Sequence, residues 1–331
     1  TDMPSLATQY LGLKLANPLI LGASPLGREP LLAQRVADAG IGAIVMHSLF
    51  EEDLLEDVTQ RQLLGLPTDP DSQRALFRGS LDRYLKQLEK LKKSVGVPVI
   101  ASLNGVSASG WMEQAKALVD AGADALELNV YYLAASPAES STAVEARYIE
   151  LVRQLRATLR IPFAVKLSSQ FTALPHFLRR LEAEGASGFV LFNRFYQPDI
   201  DLNGVRLIHR PIRSRSEDVL MALHWIAMLR GRINGGLSAS GGVQHADDVL
   251  KLLLAGADTV QIVGAVLNEG PGLVSDILAG VGEWLDAHGY DSVADLRGRF
   301  SENRISDPGA YERIHYRGVL DNWRAPGEAW R

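Results

Sequence analysis

At 331 residues the chain is long enough to bury a large core, and its 47% hydrophobic and 22% charged composition is that of a soluble globular protein. A formal net charge of -5, from 34 basic and 39 acidic residues, gives no footprint for nucleic acid or an anionic membrane surface. The lack of cysteine excludes disulfides, thiolate-held zinc or iron-sulfur clusters, and a cysteine nucleophile or base, which leaves small-molecule chemistry as the expected class.

The N-terminal stretch TDMPSLATQYLGLKLANP has no basic segment leading into an apolar run, and no window reaches about 18 uninterrupted apolar residues, so a cytoplasmic location is expected. Further along, four joints share one pattern, a helix-like run closed by glycine and followed by an apolar run: DAGIGAIVM from Asp38, DAGADALEL from Asp120, AEGASGFVLF from Ala183 and LAGADTVQI from Leu254. Glycine just past a helix suits the left-handed cap, and a short apolar run after it suits a strand covered on both faces. With the other apolar runs these predict eight strands, at 18–24, 43–48, 98–104, 125–130, 162–168, 188–193, 235–240 and 259–264. Helical patterns alternate with them, among them PLLAQRVADAG from Pro30, SLDRYLKQLEKLKKSVG from Ser80 and VEARYIELVRQLRATL from Val144.

The expected fold is therefore α/β, a single-domain (β/α)8 TIM barrel, with a doubly wound open sheet as the structural alternative. The barrel spans about 11–299. Long connections after the second and sixth strands, 48–98 and 193–235, leave the strand ends where barrel sites are built and are expected to cover a pocket rather than to decorate the surface. The C-terminal tail, 300–331, is rich in aromatic and charged residues without a clear period, and packs either on the barrel or on a partner subunit.

Strand-end polar residues reach the mouth of such a barrel, and here they are Ser24, His47, Asn104, Asn129, Lys166, Asn193 and the Ser240-Gly241-Gly242 turn. Lys166, between Val165 and Leu167 in a core strand, must find an anion or a set of acceptors: it either serves a ligand or pairs with Glu127 or another neighbouring strand-end carboxylate to satisfy the interior. The two glycines of SASGGVQHADDV, with the glycine turn of IVGAVLNEGPG after the eighth strand, point to a phosphate held by backbone N–H groups. Asp247 and Asp248 read as partners of the helix dipole and His245 as a solvated first-turn residue, while His47 is evenly placed between structural and chemical roles. Neither His47 nor His245 lies in a His-Glu-x-x-His or comparable metal spacing. Ser107 and Ser109 in NGVSASGW lack the Gly-x-Ser-x-Gly pattern and read as a turn with a helix cap.

In order and spacing, LGLKLANPLILGAS from Leu11, GADALELN, FAVKLS, FVLFN, SASGGV, DTVQIVGAVLNEGPGLV and GYDSVADLRGRF resemble the dihydroorotate dehydrogenase family of FMN-dependent barrels over most of 11–299. The resemblance implies FMN as cofactor, with Ala23 and Ser24 against the flavin, Lys166 at its N1/O2 edge, and Gly241, Gly242 and Gly264 at its phosphate. His47, Asn104, Ser240 and Ala265 fall in the same implied cofactor site, and Asn129 and Asn193, bordering it, match asparagines that hydrogen-bond a pyrimidine substrate. A cation at the N1/O2 edge suits the negative charge that reduction places there. A homodimer is implied as well.

The departures lie in the substrate half. ELNVYYLA puts Tyr132 where the family carries a cysteine or serine base and Ala134 where it carries a substrate-binding asparagine. His47 takes the place of a family lysine, and no Asn-x-x-Gly-x-x-Asn loop is found between Glu51 and Leu91. A phenol of ordinary pKa about 10 is better suited to donate a proton than to accept one. The expected function is an FMN-dependent oxidoreductase exchanging hydride between flavin N5 and a cyclic, pyrimidine-like substrate, with Tyr132, Lys166 and His47 as the catalytic candidates. The alternative is an FMN- or phosphate-binding barrel without dihydroorotate turnover, acting as a subunit or regulator. With no Gly-x-Gly-x-x-Gly fingerprint, no cysteine set and no amphipathic N-terminal extension, the electron acceptor is not written in this chain.

Overall fold

The computed structural model describes residues 3–50, 70–105, 111–194, 198–208, 213–303 and 305–322. Strands β1 (Thr8–Tyr10) and β2 (Leu13–Leu15) form an antiparallel hairpin. Eight strands then close a parallel barrel: β3 (Leu19–Leu21), β4 (Ala43–Phe50), β5 (Val99–Asn104), β6 (Ala125–Asn129), β7 (Phe163–Leu167), β8 (Gly188–Leu191), β11 (Gly236–Ser240) and β12 (Thr259–Ile262). β12 pairs with β3, which closes the ring and rules out the open sheet. The intervening β9 (Asp199–Asp201) and β10 (Arg206–Ile208) form a separate exposed hairpin within the long connection after β8. The connection after β4 is described only from the helix Pro70–Ser94 onward, and the predicted turn carrying Ser107 and Ser109 also lies outside the described residues.

Side chains alternate along each strand, so one set enters the barrel and the other meets the helices. The outer set, including Leu19, Leu21, Ile44, Val99, Leu126, Phe163 and Phe189, joins the main core. The inner set, Ile20, Ala43, Val45, Ile100, Ala125, Ala164 and Val190, forms a second apolar cluster capped by Tyr10, Leu11 and Leu15 of the hairpin. Two glycines make that plug possible: a Cβ on Gly236 would lie 2.8 Å from the Tyr10 ring and one on Gly188 2.8 Å from the Leu11 side chain. The N-terminal half of the interior is thereby filled with apolar groups. Buried polar residues, Ser102, Glu127, Lys166, Ser238 and Gln261, occupy the rest.

Asp258 ties the N-terminal end together. Its carboxylate accepts from the Leu237 N–H, from both terminal nitrogens of Arg230 and from Arg297, and its carbonyl accepts from the Thr8 hydroxyl. Replacing Asp258 with asparagine leaves two guanidiniums facing one neutral amide and is expected to lower unfolding free energy by about 2–3 kcal/mol, to be read from urea or guanidinium unfolding.

The tail contains a helix, Pro308–Asn322, where the sequence shows no period; none of its residues is buried. No helix among the described residues is long and apolar enough to cross a membrane.

Candidate active site

The register of the barrel sets Asn104, Asn129 and Lys166 side by side at the C-terminal ends of β5, β6 and β7. All three are buried, with relative exposures of 6%, 8% and 7%. The Lys166 ammonium is held by two neighbours across the interior. Its Nζ donates to Gln261 Oε1 at 3.1 Å and lies 3.4 Å from Glu127 Oε1, while Gln261 Nε2 donates to Glu127 Oε2 at 2.6 Å. The charge of Lys166 is thus balanced by Glu127, as the structural reading expects, at the strand ends where a ligand would be met.

Asn193 joins this row. Its backbone N–H donates to the Leu167 carbonyl at 2.7 Å, which continues the β7 ladder past the last residue of β8, and its Nδ2 donates to Asn129 Oδ1 at 2.6 Å. The two asparagines expected to bind one substrate are therefore in direct contact. The Asn129 amide nitrogen is left to face other groups, because its oxygen is the acceptor of this bond.

The glycine turns also adjoin. β11 and β12 are neighbours, with Ser240 opposite Gln261, so the Ser240-Gly241-Gly242 turn and the Val263-Gly264-Ala265 turn leave adjacent strands. Gly241 and Gly242 have φ of +98° and +85°, a region that side-chain-bearing residues rarely adopt. A Cβ on Gly241 would meet nothing within 4 Å, whereas one on Gly242 would lie 2.5 Å from the Val219 backbone nitrogen. Open space over Gly241 and a tight wall behind Gly242 leave backbone accessible on one side. Ser214 stands between the turns, its carbonyl accepting from Gln244 Nε2 and its hydroxyl facing Gly264. Asp248 is buried and accepts from the Gln244 and His245 N–H groups and the Ser216 hydroxyl, which makes it a cap rather than a dipole partner alone. His245 is exposed at the start of that helix.

On the other side of the mouth, Ala23 and Ser24 follow β3. Ser24 is buried and its hydroxyl has no hydrogen-bond partner among the described residues. His47 sits in an irregularity of β4, where the three-residue step from Val45 to Ser48 faces the two-residue step from Ile100 to Ser102. The extra residue is a β-bulge, a device that re-aims a side chain near a site. Tyr84 fastens it: its hydroxyl donates to the His47 carbonyl at 2.8 Å, its ring lies 4.9 Å from the His47 ring, and the Ser102 N–H donates to its oxygen. Burial pushes the Tyr84 phenol well above its ordinary pKa, with the charge of Glu127 adding to the rise and the bond to Ser102 opposing it.

Tyr132 is placed differently from the other candidates. It is half-buried, and its hydroxyl donates to Glu139 Oε2 at 2.6 Å. Arg147 pairs with Glu139 Oε1 at 2.7 Å and stacks 4.7 Å over the Tyr132 ring. The hydrogen bond to Glu139 raises the phenol above its ordinary pKa, burial adds to this and Arg147 opposes it. Ala134 is exposed.

Gln261 and Tyr84 are the residues of this site that the sequence does not single out. Gln261 lies, like Lys166, between two apolar residues of a buried strand, Val260 and Ile262, but brings no charge that must be compensated. Tyr84 has no comparable mark, since an aromatic in a helix reads as core.

A cavity of about 630 Å³ opens at the opposite, N-terminal end, lined by Gln9, Arg156, Arg160, Asn234 and the Asp258 cluster. It is remote from the strand ends. Barrel chemistry is built at the C-terminal mouth, so the polar row and not this cavity is the candidate site.

Residues 5–285 match the dihydroorotate dehydrogenase family. A protein of Aeropyrum pernix provisionally named dihydroorotate dehydrogenase A (fumarate) is 28% identical over 311 residues, covering 90% of this chain and 98% of its own. The catalytic subunit of dihydroorotate dehydrogenase B (NAD(+)) of Methanosarcina acetivorans is 28% identical over 292 residues, 87% of this chain and 93% of its own. The NAD-dependent dihydropyrimidine dehydrogenase subunit PreA of Escherichia coli K12 is 23% identical over 332 residues, 91% of this chain and 78% of its own. With the family matched over most of its length, the chain belongs to the dihydroorotate dehydrogenase family of oxidoreductases.

Proposed function

We propose that this chain binds FMN at the C-terminal mouth of the barrel and oxidises or reduces a cyclic, pyrimidine-like substrate stacked on it. One observation carries the reading: Asn104, Asn129 and Lys166 lie in one buried row at the strand ends, with the ammonium fixed by Glu127 and Gln261. The residues present fit such a cofactor. Gly241 and Gly242 offer backbone N–H groups beside open space for a phosphate, Ser24 offers a buried hydroxyl without a partner among the described residues, and Lys166 offers a cation.

When bound, FMN supplies the hydride acceptor or donor. The chain's own residues do the rest. Lys166 sets positive potential at the edge of the ring that becomes negative on reduction, and its anchors keep it there without reorganisation. Asn129 and Asn193, held to each other, present amide groups to the carbonyl and N–H edges of a pyrimidine. Tyr132, kept protonated by Glu139, is the candidate proton donor and His47 its rival.

Replacing Gly242 with alanine places a methyl against the Val219 backbone at a strained φ. Strain of about 1–3 kcal/mol is expected to weaken FMN retention on gel filtration roughly 10-fold.

The direct test is the visible spectrum of the purified chain followed by anaerobic addition of dihydroorotate. A yellow protein that bleaches supports both cofactor and substrate. A yellow protein that does not bleach keeps the flavin and sends the search to other dihydropyrimidines. A colourless protein that FMN cannot reconstitute overturns the reading.

A second reading is favoured by two of the relatives, which are named as subunits. In it the chain passes electrons to a separate partner chain, and flavin reduction by substrate proceeds without multiple turnover until that partner is added. The homodimer carried over from the family is read by analytical ultracentrifugation.

A further inference from the structure

We propose that Glu302, Glu312 and His315, with His224 beside them, form a binding site for a divalent transition-metal ion such as Zn²⁺, which fastens the C-terminal helix Pro308–Asn322 to the barrel.

One ligand atom each from Glu302, Glu312 and His315 lie within 4.8 Å of one another. Glu302 is only 7% exposed, and its Oε2 has no hydrogen-bond partner among the described residues. Glu312 Oε1 is likewise buried without a partner, while its other oxygen lies 2.9 Å from Nε2 of His224. Two carboxylate oxygens buried without a hydrogen bond close to each other are uphill unless a proton or a cation joins them. The nearby guanidinium acts on them only through space, because Arg232 Nη2 donates to the carbonyls of Glu302 and Ile305.

The chemistry of the donors selects the ion. Two carboxylates and one imidazole, with the His224 imidazole on Glu312 behind them, make an N/O set that suits Zn²⁺, Co²⁺ or Mn²⁺, whereas Mg²⁺ and Ca²⁺ favour all-oxygen sites. Glu312 and His315 are three residues apart on one helix, which puts both on the same face. Ligands on one such ion sit roughly 3–4 Å apart, so side-chain adjustments of about an ångström close the set.

The site also answers how the helix stays in place. None of its residues is buried, and Ile314, Tyr316, Val319 and Leu320 are exposed, so apolar burial does not hold it. Glu302, by contrast, is fixed to the barrel: its N–H donates to the carbonyl of Ala227, on the helix Val219–Leu229 that also carries His224. A shared ion would join the two helices through groups already turned toward each other.

The test uses the full chain, stripped with a chelator and dialysed against Zn²⁺. The expected result is one Zn²⁺ per chain, a raised unfolding midpoint, and slower proteolytic cleavage within 308–322. Glu302→Gln and His315→Ala are each expected to weaken binding about 100-fold or more, since even outer partners of metal ligands cost 10–100-fold. If Glu302→Gln fails to fold, His315→Ala decides, because His315 is exposed. No Zn²⁺ on the wild-type chain, or unchanged binding by folded His315→Ala, overturns the proposal. None of these readouts depends on the flavin.

Discussion

Replacing Lys166 with methionine is expected to lower unfolding free energy by about 3–5 kcal/mol, the cost of removing one partner from a buried ion pair. The ammonium is the cation that faces Glu127 in the barrel interior, and the carboxylate is 2% exposed, with Gln261 as its remaining donor. Without Lys166 a buried negative charge is left, among the described residues, with one neutral amide. The double variant Lys166→Met with Glu127→Gln removes both charges and is expected to recover most of that stability, since replacing a whole buried pair is far cheaper than breaking it. Flavin chemistry should not recover with it. If Lys166 stabilises charge on the reduced ring, the double variant folds, binds FMN and still reduces it about 100-fold or more slowly, because a lost preorganised electrostatic partner costs on that scale. A double variant with wild-type stability and wild-type flavin reduction would assign Lys166 to the barrel interior alone. Unfolding curves and stopped-flow bleaching read the two effects separately.

Why Lys166 and its partner Glu127 are legible in the sequence and Gln261 is not follows from the physics of each. A charge between Val165 and Leu167 must be compensated, so the residue announces a requirement; the strand on which the answer lies depends on closure of the ring. Gln261 and Glu127 are 134 residues apart in the chain and meet because β12, β6 and β7 face a common interior. A neutral amide such as Gln261 carries no comparable demand, and in a strand it passes for a tolerated polar residue.

The eight strands are legible because each is a short apolar run, four of them just after a glycine-capped helix end, local signals that need no tertiary knowledge. What local signals cannot give is the second use of the same residue. Gly188 and Gly236 sit just where joints call for small residues, yet their close approach is to Leu11 and Tyr10, from a hairpin at the other end of the chain. The bulge that carries His47 is equally hidden, since one extra residue in AIVMHSLF is indistinguishable from a strand that simply ends. The tail helix Pro308–Asn322 has no buried face, and so it leaves no amphipathic period to read.

Tyr132→Phe is expected to slow substrate-driven flavin reduction by about 100-fold or more while FMN stays bound, the usual scale for loss of a general acid or base. The structure adds a way to separate chemistry from scaffolding. Glu139 is the first cause of the raised Tyr132 pKa, through the hydrogen bond it accepts, and Arg147 opposes it. A phenol that must be protonated gives a rate that falls on the alkaline side, at the pH where it loses its proton. Glu139→Gln removes the acceptor's charge and weakens that cause, so the alkaline limb is expected to move to lower pH, whereas Arg147→Met removes the opposing charge and is expected to move it higher. A Tyr132 that only fastens the segment after β6 to the helix Ser141–Thr158 would give neither displacement, and Tyr132→Phe would turn over at the wild-type rate. That outcome would pass the proton to His47, whose backbone and ring are already fixed by Tyr84 at the bulge in β4.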